Sequence, residues 1–151
     1  MFLEASIKFW EDEVTEEGKD IRIKKDVHVL CHCINYTESE VLATEYGLDL
    51  TSESFDVGPI TELQIDDYYP DEEHNGYPWF KCKTEYSVLT EKGKKKKFKR
   101  SILVQAIDSA AASVRSTEIM VKWAYTKDCK TVTVSETKIM EILKADKKKS
   151  V

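Results

Sequence analysis

The amino-acid sequence predicts an α+β fold: two tandem β-β-α-β modules packed as a pseudo-symmetric pair, each an antiparallel sheet with one helix on a face. Three observations lead there. One order of signals runs through residues 2–69 and again through 79–143. Each run alternates apolar residues with a period of two on both sides of a glycine-containing turn. Each then switches to a capped helical pattern before a last apolar strand. The expected segments are an acidic module over 1–69, a linker over 70–78, a basic module over 79–143 and a basic tail over 144–151.

The first strand of the first module carries Leu3, Ala5, Ile7 and Phe9 on one face. Its counterpart carries Phe80, Cys82, Thr84, Tyr86 and Val88. Glu16-Glu17-Gly18-Lys19 and Glu91-Lys92-Gly93-Lys94 then predict hairpin turns in which glycine supplies positive φ. The returning strands hold Ile21, Ile23, Val27 and Val29 in one module and Phe98, Ile102 and Val104 in the other, β-branched or aromatic side chains suited to a pleated surface.

Asn35-Tyr36-Thr37-Glu38 has the spacing of a capping box, and the helix it starts runs through Val41, Leu42 and Tyr46 to an expected stop at Gly47. Asp108 is the expected cap of the second helix, with Val114, Met120 and Val121 as its buried contacts. Phe55, Val57, Ile60, Leu63 and Ile65 form the expected third strand of the first module, and Val132, Val134, Ile139 and Ile142 that of the second. A module of about 70 residues is near the lower limit for a self-sufficient core, which favours two packed together.

The chain has 151 residues, of which 41% are hydrophobic and 34% charged, enough for a modest core with a well-solvated surface. No apolar run of about 18 residues predicts a membrane span. The start, Met1-Phe2-Leu3-Glu4, lacks the pattern of a signal peptide. The four cysteines, Cys31, Cys33, Cys82 and Cys129, form no disulfide framework, so reduced thiols and a cytoplasmic location are expected.

The net charge of −5 conceals opposite halves. Residues 1–76 hold 5 Lys and Arg against 20 Asp and Glu, and residues 77–151 hold 18 against 8. Such asymmetry allows attraction between the halves, head-to-tail association into a homo-oligomer, or an anionic partner for the basic half.

The densest positive feature is the second hairpin, with Lys92, Lys94, Lys95, Lys96, Lys97, Lys99 and Arg100, joined by Lys81 and Lys83 on the neighbouring strand. A basic β-ribbon can neutralise successive phosphates and so bind nucleic acid with salt-sensitive, sequence-tolerant affinity. Trp79, Phe98 or Trp123 would add stacking if exposed. The same charges also suit an acidic protein surface, or a solvated edge that discourages aggregation. The first hairpin, with Glu16, Glu17 and Asp20, lacks this character.

His28 and Cys31-His32-Cys33 invite a zinc reading, but strand alternation puts the cysteines on one face and the histidines on the other, so no metal is expected. The acidic stretch from Asp66 to Glu73 lacks calcium-loop spacing. There is no nucleophile elbow, no glycine-rich phosphate loop and no Ser/His/Asp arrangement, so no enzymatic activity and no cofactor are expected.

Trp79-Phe80-x-Cys82-Lys83, Glu91-x-Gly93-Lys94 and Leu103-Val104-Gln105-Ala106, followed by the alanine-rich helix start, resemble a family of short domains of unknown function from Bacteroidota and their phages. The first module resembles a diverged copy, with Leu30-Cys31-His32-Cys33 at the matching place. The resemblance implies no catalytic residues. It is compatible with a phage-encoded protein acting in a host cytoplasm. The leading expectation is a non-enzymatic nucleic-acid-associated protein, and the alternative is a structural or protein-interaction module, such as a virion component or host-factor binder, assembled through its charge asymmetry.

Overall fold

The computed structural model describes residues 1–145 as a mixed α+β protein with two sheets and two helices. The chain divides into two compact units, Met1–Leu63 joined by the segment from Ile139, and Gln64–Lys138.

In the first unit, β1 (Phe2–Val14) and β2 (Asp20–His32) form a long antiparallel hairpin, followed by α1 (Tyr36–Leu50), β3 (Phe55–Val57) and β4 (Thr61–Glu62). β3 and β4 both pair antiparallel to β1. The expected alternation is present: Leu3, Ala5, Ile7 and Phe9 meet Val29, Cys31 and Ala43 in the core. Full burial of a residue such as Leu3 or Ile7 contributes about 1.5–3 kcal/mol.

The second unit also places a hairpin before a helix and a strand, and begins with one further short strand. It contains β5 (Asp67–Tyr69), the hairpin of β6 (Trp79–Leu89) and β7 (Lys95–Gln105), then α2 (Ser109–Ala124) and β8 (Cys129–Glu136), which pairs antiparallel to β6. Phe80, Cys82, Ile102, Val104, Ala106, Ala112 and Met120 form its core.

Both hairpins close with the same Thr-x-x-Gly-Lys turn. Thr15 N–H donates to Lys19 O at 2.9 Å and Gly18 N–H to Thr15 O at 2.9 Å; Thr90 N–H donates to Lys94 O at 2.8 Å and Gly93 N–H to Thr90 O at 2.9 Å. Gly18 and Gly93 have φ of 79° and 76°, a region that penalises a Cβ. The helices also start alike. Asn35 Oδ1 accepts from Glu38 N–H at 2.8 Å, and Asp108 Oδ1 accepts from Ala111 N–H at 2.8 Å. Glu38 Oε1 accepts from Ile34 N–H at 3.2 Å, one residue outside a regular capping box.

The tertiary structure departs from the sequence expectation in seven places. The sheets are mixed rather than antiparallel, because each gains a parallel edge strand: β5 beside β7, and β9 (Ile139–Lys144) beside β2. Ile139 and Ile142 therefore leave the second module's third strand and pair in the first sheet. Residues 67–69, expected in the first module, are a strand of the second unit. Of the first module's expected third strand, only Phe55 and Val57 lie in β3; Ile60, Leu63 and Ile65 lie outside strands.

The remaining departures concern the helices and the linker. Gly47 does not stop α1, which continues to Leu50, and it is buried inside the helix. Val114 is exposed, and the buried stripe of α2 is Ala112, Ser116 and Met120, spaced as one helical face. Over 70–78, the expected linker is fastened to the second unit. Gln105 Oε1 accepts from Asp71 N–H at 2.9 Å, and Gln105 Nε2 donates to Asn75 O at 2.8 Å and Tyr77 O at 3.0 Å. Arg115 also donates to Pro70 O at 2.7 Å.

Candidate functional site

The β6–β7 pairing sorts the lysines by parity. Lys81 faces Leu103, Lys83 faces Ser101, Lys99 faces Glu85, Lys97 faces Ser87 and Lys95 faces Leu89. Directly opposed residues share a face, so Lys81, Lys83, Lys95, Lys97 and Lys99 stand on one side of the sheet. Lys83, Lys95, Lys97 and Lys99 are exposed and Lys81 is half-buried. Lys130 of β8 lies opposite Glu85 and pairs with its carboxylate at 3.6 Å. Lys83, Glu85, Lys99 and Ser101 border a hollow of about 290 Å³ on this side.

The other expected phosphate contacts separate from this row. Lys92 and Lys94 are exposed in the turn. Lys96 is opposite Val88 on the helix-bearing face, its ammonium 5.2 Å from the centroid of Phe98. Arg100 does not belong to an exposed phosphate set. Its side chain is only 10% exposed, its guanidinium lies 4.0 Å over the Trp123 ring, and Nη1 donates to the Tyr69 hydroxyl at 3.0 Å. Nη2 lies 3.9 Å from the Asp67 carboxylate. The parity of Arg100 with Phe98 and Ile102 was the available signal: on a strand, that spacing turns it toward the core. Lys147, Lys148 and Lys149 of the expected tail lie outside the described residues.

Of the expected stacking side chains, Trp79 is buried. Phe98 is partly exposed and stacked on Tyr86 at 5.3 Å, and Trp123 is half-exposed and meets Tyr86 edge-on at 5.6 Å. Sequence reading missed Tyr125. It follows α2 with φ of 53°, the non-glycine residue in the left-handed region among the described residues, and is 95% exposed. Its conformation arises where the helix meets the loop to β8, and no periodic pattern encodes it.

Cys31 and Cys33 are buried in the first core. Burial, with neighbouring Cys33, pushes the Cys31 thiol up to about 12, and burial also raises Cys33, Cys82 and Cys129. Such thiols are poor nucleophiles at neutral pH. His28 Nδ1 lies 3.0 Å from the Glu4 carboxylate, and His32 stacks on Phe2. Among the described residues, no group of three His, Cys, Asp or Glu side chains is placed to hold a metal ion, and no helix is long and apolar enough to cross a membrane.

No curated protein and no solved structure matches the chain. The family profile of a domain of unknown function, DUF4494, matches residues 1–145. The match takes in both compact units, so the family's domain is broader than the single half-chain module expected from the resemblance. The chain belongs to the DUF4494 family.

Proposed function

We propose that this protein is a non-enzymatic, nucleic-acid-associated binding protein that holds phosphates on the lysine-bearing face of β6 and β7. The observation that carries the reading is the row of Lys81, Lys83, Lys95, Lys97 and Lys99 on one face, countered by Glu85 and, at Lys95, by Asp128. Residues two apart on a strand are separated by about 6.8 Å, and adjacent strands by about 4.8 Å, so these ammonium groups can meet several phosphates of one backbone. Arg100 has no part in this contact, because its guanidinium is committed to Trp123 and Tyr69. The repeated turn and helix cap also support descent of the two units from a duplicated β-β-α-β ancestor.

Fluorescence anisotropy of labelled nucleic acid across a salt series tests the proposal. Five neutralised phosphates give a slope of log affinity against log salt of about −3.5 for a single strand or −4.5 for a duplex. Lys97→Ala should make the single-strand slope shallower by about 0.7, whereas Lys96→Ala, on the opposite face, should leave it unchanged. Absence of binding at low salt, or equal effects of the two substitutions, refutes the proposed face.

A second reading, assembly between copies, draws on one observation. Among the described residues, the outer edge of β1 over residues 10–14 has no strand partner and carries Glu11, Asp12 and Glu13. The outer edge of β7 over 95–99 is likewise unpaired and carries lysines. Oppositely charged open edges suit head-to-tail strand addition. Concentration-dependent mass in nuclease-treated protein, weakened by salt, supports it; a constant monomer mass counts against it.

A further inference from the structure

We infer that the bound nucleic acid is single-stranded and that one unpaired base enters a hollow at the end of the lysine row, stacked on Tyr125; this rests on the phosphate-binding reading above. The hollow has a volume of about 530 Å³ and is bordered by Val88, Leu89, Lys95, Tyr125, Lys127 and Asp128, among others. Its origin lies in unequal strand lengths. β8 begins at Cys129 opposite Tyr86, Ser87 N–H donates to Asp128 O at 3.0 Å, and β6 continues beyond as Val88 and Leu89 without a further β8 partner. The loop from α2 then passes beside this uncovered edge.

The surface has the composition that base stacking requires. Leu89, on the lysine-bearing side of β6, is 68% exposed and Val88, on the helix-bearing side, is 40% exposed, so apolar surface flanks the strand end on both faces. Tyr125 presents almost its whole ring to solvent, and its left-handed backbone is unfavourable for a residue with a Cβ. A large aromatic ring stands where glycine would relieve the backbone, and its exposure beside the hollow is the observation that points to use of the ring.

Lys95 connects the hollow with the phosphate row. It borders the hollow and shares the sheet face of Lys97 and Lys99. A backbone running along Lys99, Lys97 and Lys95 therefore reaches the hollow with its next base beside Leu89 and Tyr125. Lys127 adds positive charge at the rim, while Asp128 lies 3.4 Å from Lys95 and holds its ammonium at that edge. A duplex keeps its bases stacked internally and has no free base to offer; a single strand offers the π-face of any base, consistent with sequence-tolerant binding.

The test compares a labelled mixed-sequence single strand with the corresponding duplex, at one low salt concentration, against the wild type, Tyr125→Gly and Tyr125→Phe. Glycine removes the ring while suiting the left-handed backbone, so folding is preserved, and unchanged circular dichroism and melting check this. The expected result is tighter binding of the single strand by the wild type. Tyr125→Gly should lose about 5- to 150-fold of that affinity with little change for the duplex, and Tyr125→Phe should retain it. Equal binding of both nucleic acids with no effect of Tyr125→Gly overturns the base-stacking inference but leaves salt-sensitive phosphate binding intact. Binding of neither overturns both.

Discussion

Replacing Gly47 with alanine sets two effects of opposite sign against each other. The position lies inside α1 rather than at its end, so helix propensity alone favours alanine by about 1 kcal/mol. Packing opposes it. A Cβ on Gly47 would fall against the ring of Phe55, with Cδ2 and Cζ each at 2.6 Å. Carbon atoms normally approach to about 3.5–4.0 Å, so the ring or the helix must move by roughly 1 Å.

Phe55 packs against the first core and pairs with Phe9 across the sheet, which limits that movement. Overpacking of a constrained site costs about 1–3 kcal/mol, and a contact this short lies toward the upper end. The expected net loss is about 1–2 kcal/mol, read as a lower urea midpoint at unchanged slope in circular dichroism. In a Phe55→Leu background the flat ring is gone, and Gly47→Ala should become neutral or stabilising. Stabilisation by alanine in the wild type, or an unchanged cost in the Phe55→Leu background, would refute the steric argument.

Arg100→Ala should cost about 2–4 kcal/mol, because it removes a buried guanidinium from Trp123, Tyr69 and Asp67, while Lys97→Ala on the exposed face should stay within about 0.5 kcal/mol. Comparable urea midpoints for the two variants would put Arg100 back among the solvent-facing cations. For Cys31 the folded pKa is raised above its ordinary value near 9, so its stabilising effect is fully present below pH 9 and is lost as pH rises toward about 12. Three units correspond to a ceiling of about 4 kcal/mol. Urea midpoints measured from pH 8 to 11 should therefore fall, and Cys31→Ser should show a shallower decline; identical declines would remove Cys31 as a source.

The local features of this protein are written in its sequence. Alternation identifies the core faces of β1 and β6, Gly18 and Gly93 mark the hairpin turns, and Asn35 and Asp108 mark the helix starts, because these signals depend on backbone geometry within a few residues. Alternation also carried the key to the candidate site, dividing Lys95, Lys97 and Lys99 from Lys96 and Arg100 once the pairing with β6 was known.

Tertiary structure decided what depends on distant partners. Ile139 and Ile142 join β2, a parallel pairing across more than 100 residues that an apolar pattern cannot specify. Gly47 reads as a helix stop until Phe55 is placed against it. Arg100 looks like one more cation in a basic run until Trp123 and Tyr69 close over its guanidinium. Tyr125 becomes conspicuous only when α2 ends beside the uncovered edge of β6. Periodicity specifies which face of an element is apolar, whereas the identity of what covers that face is set by long-range packing.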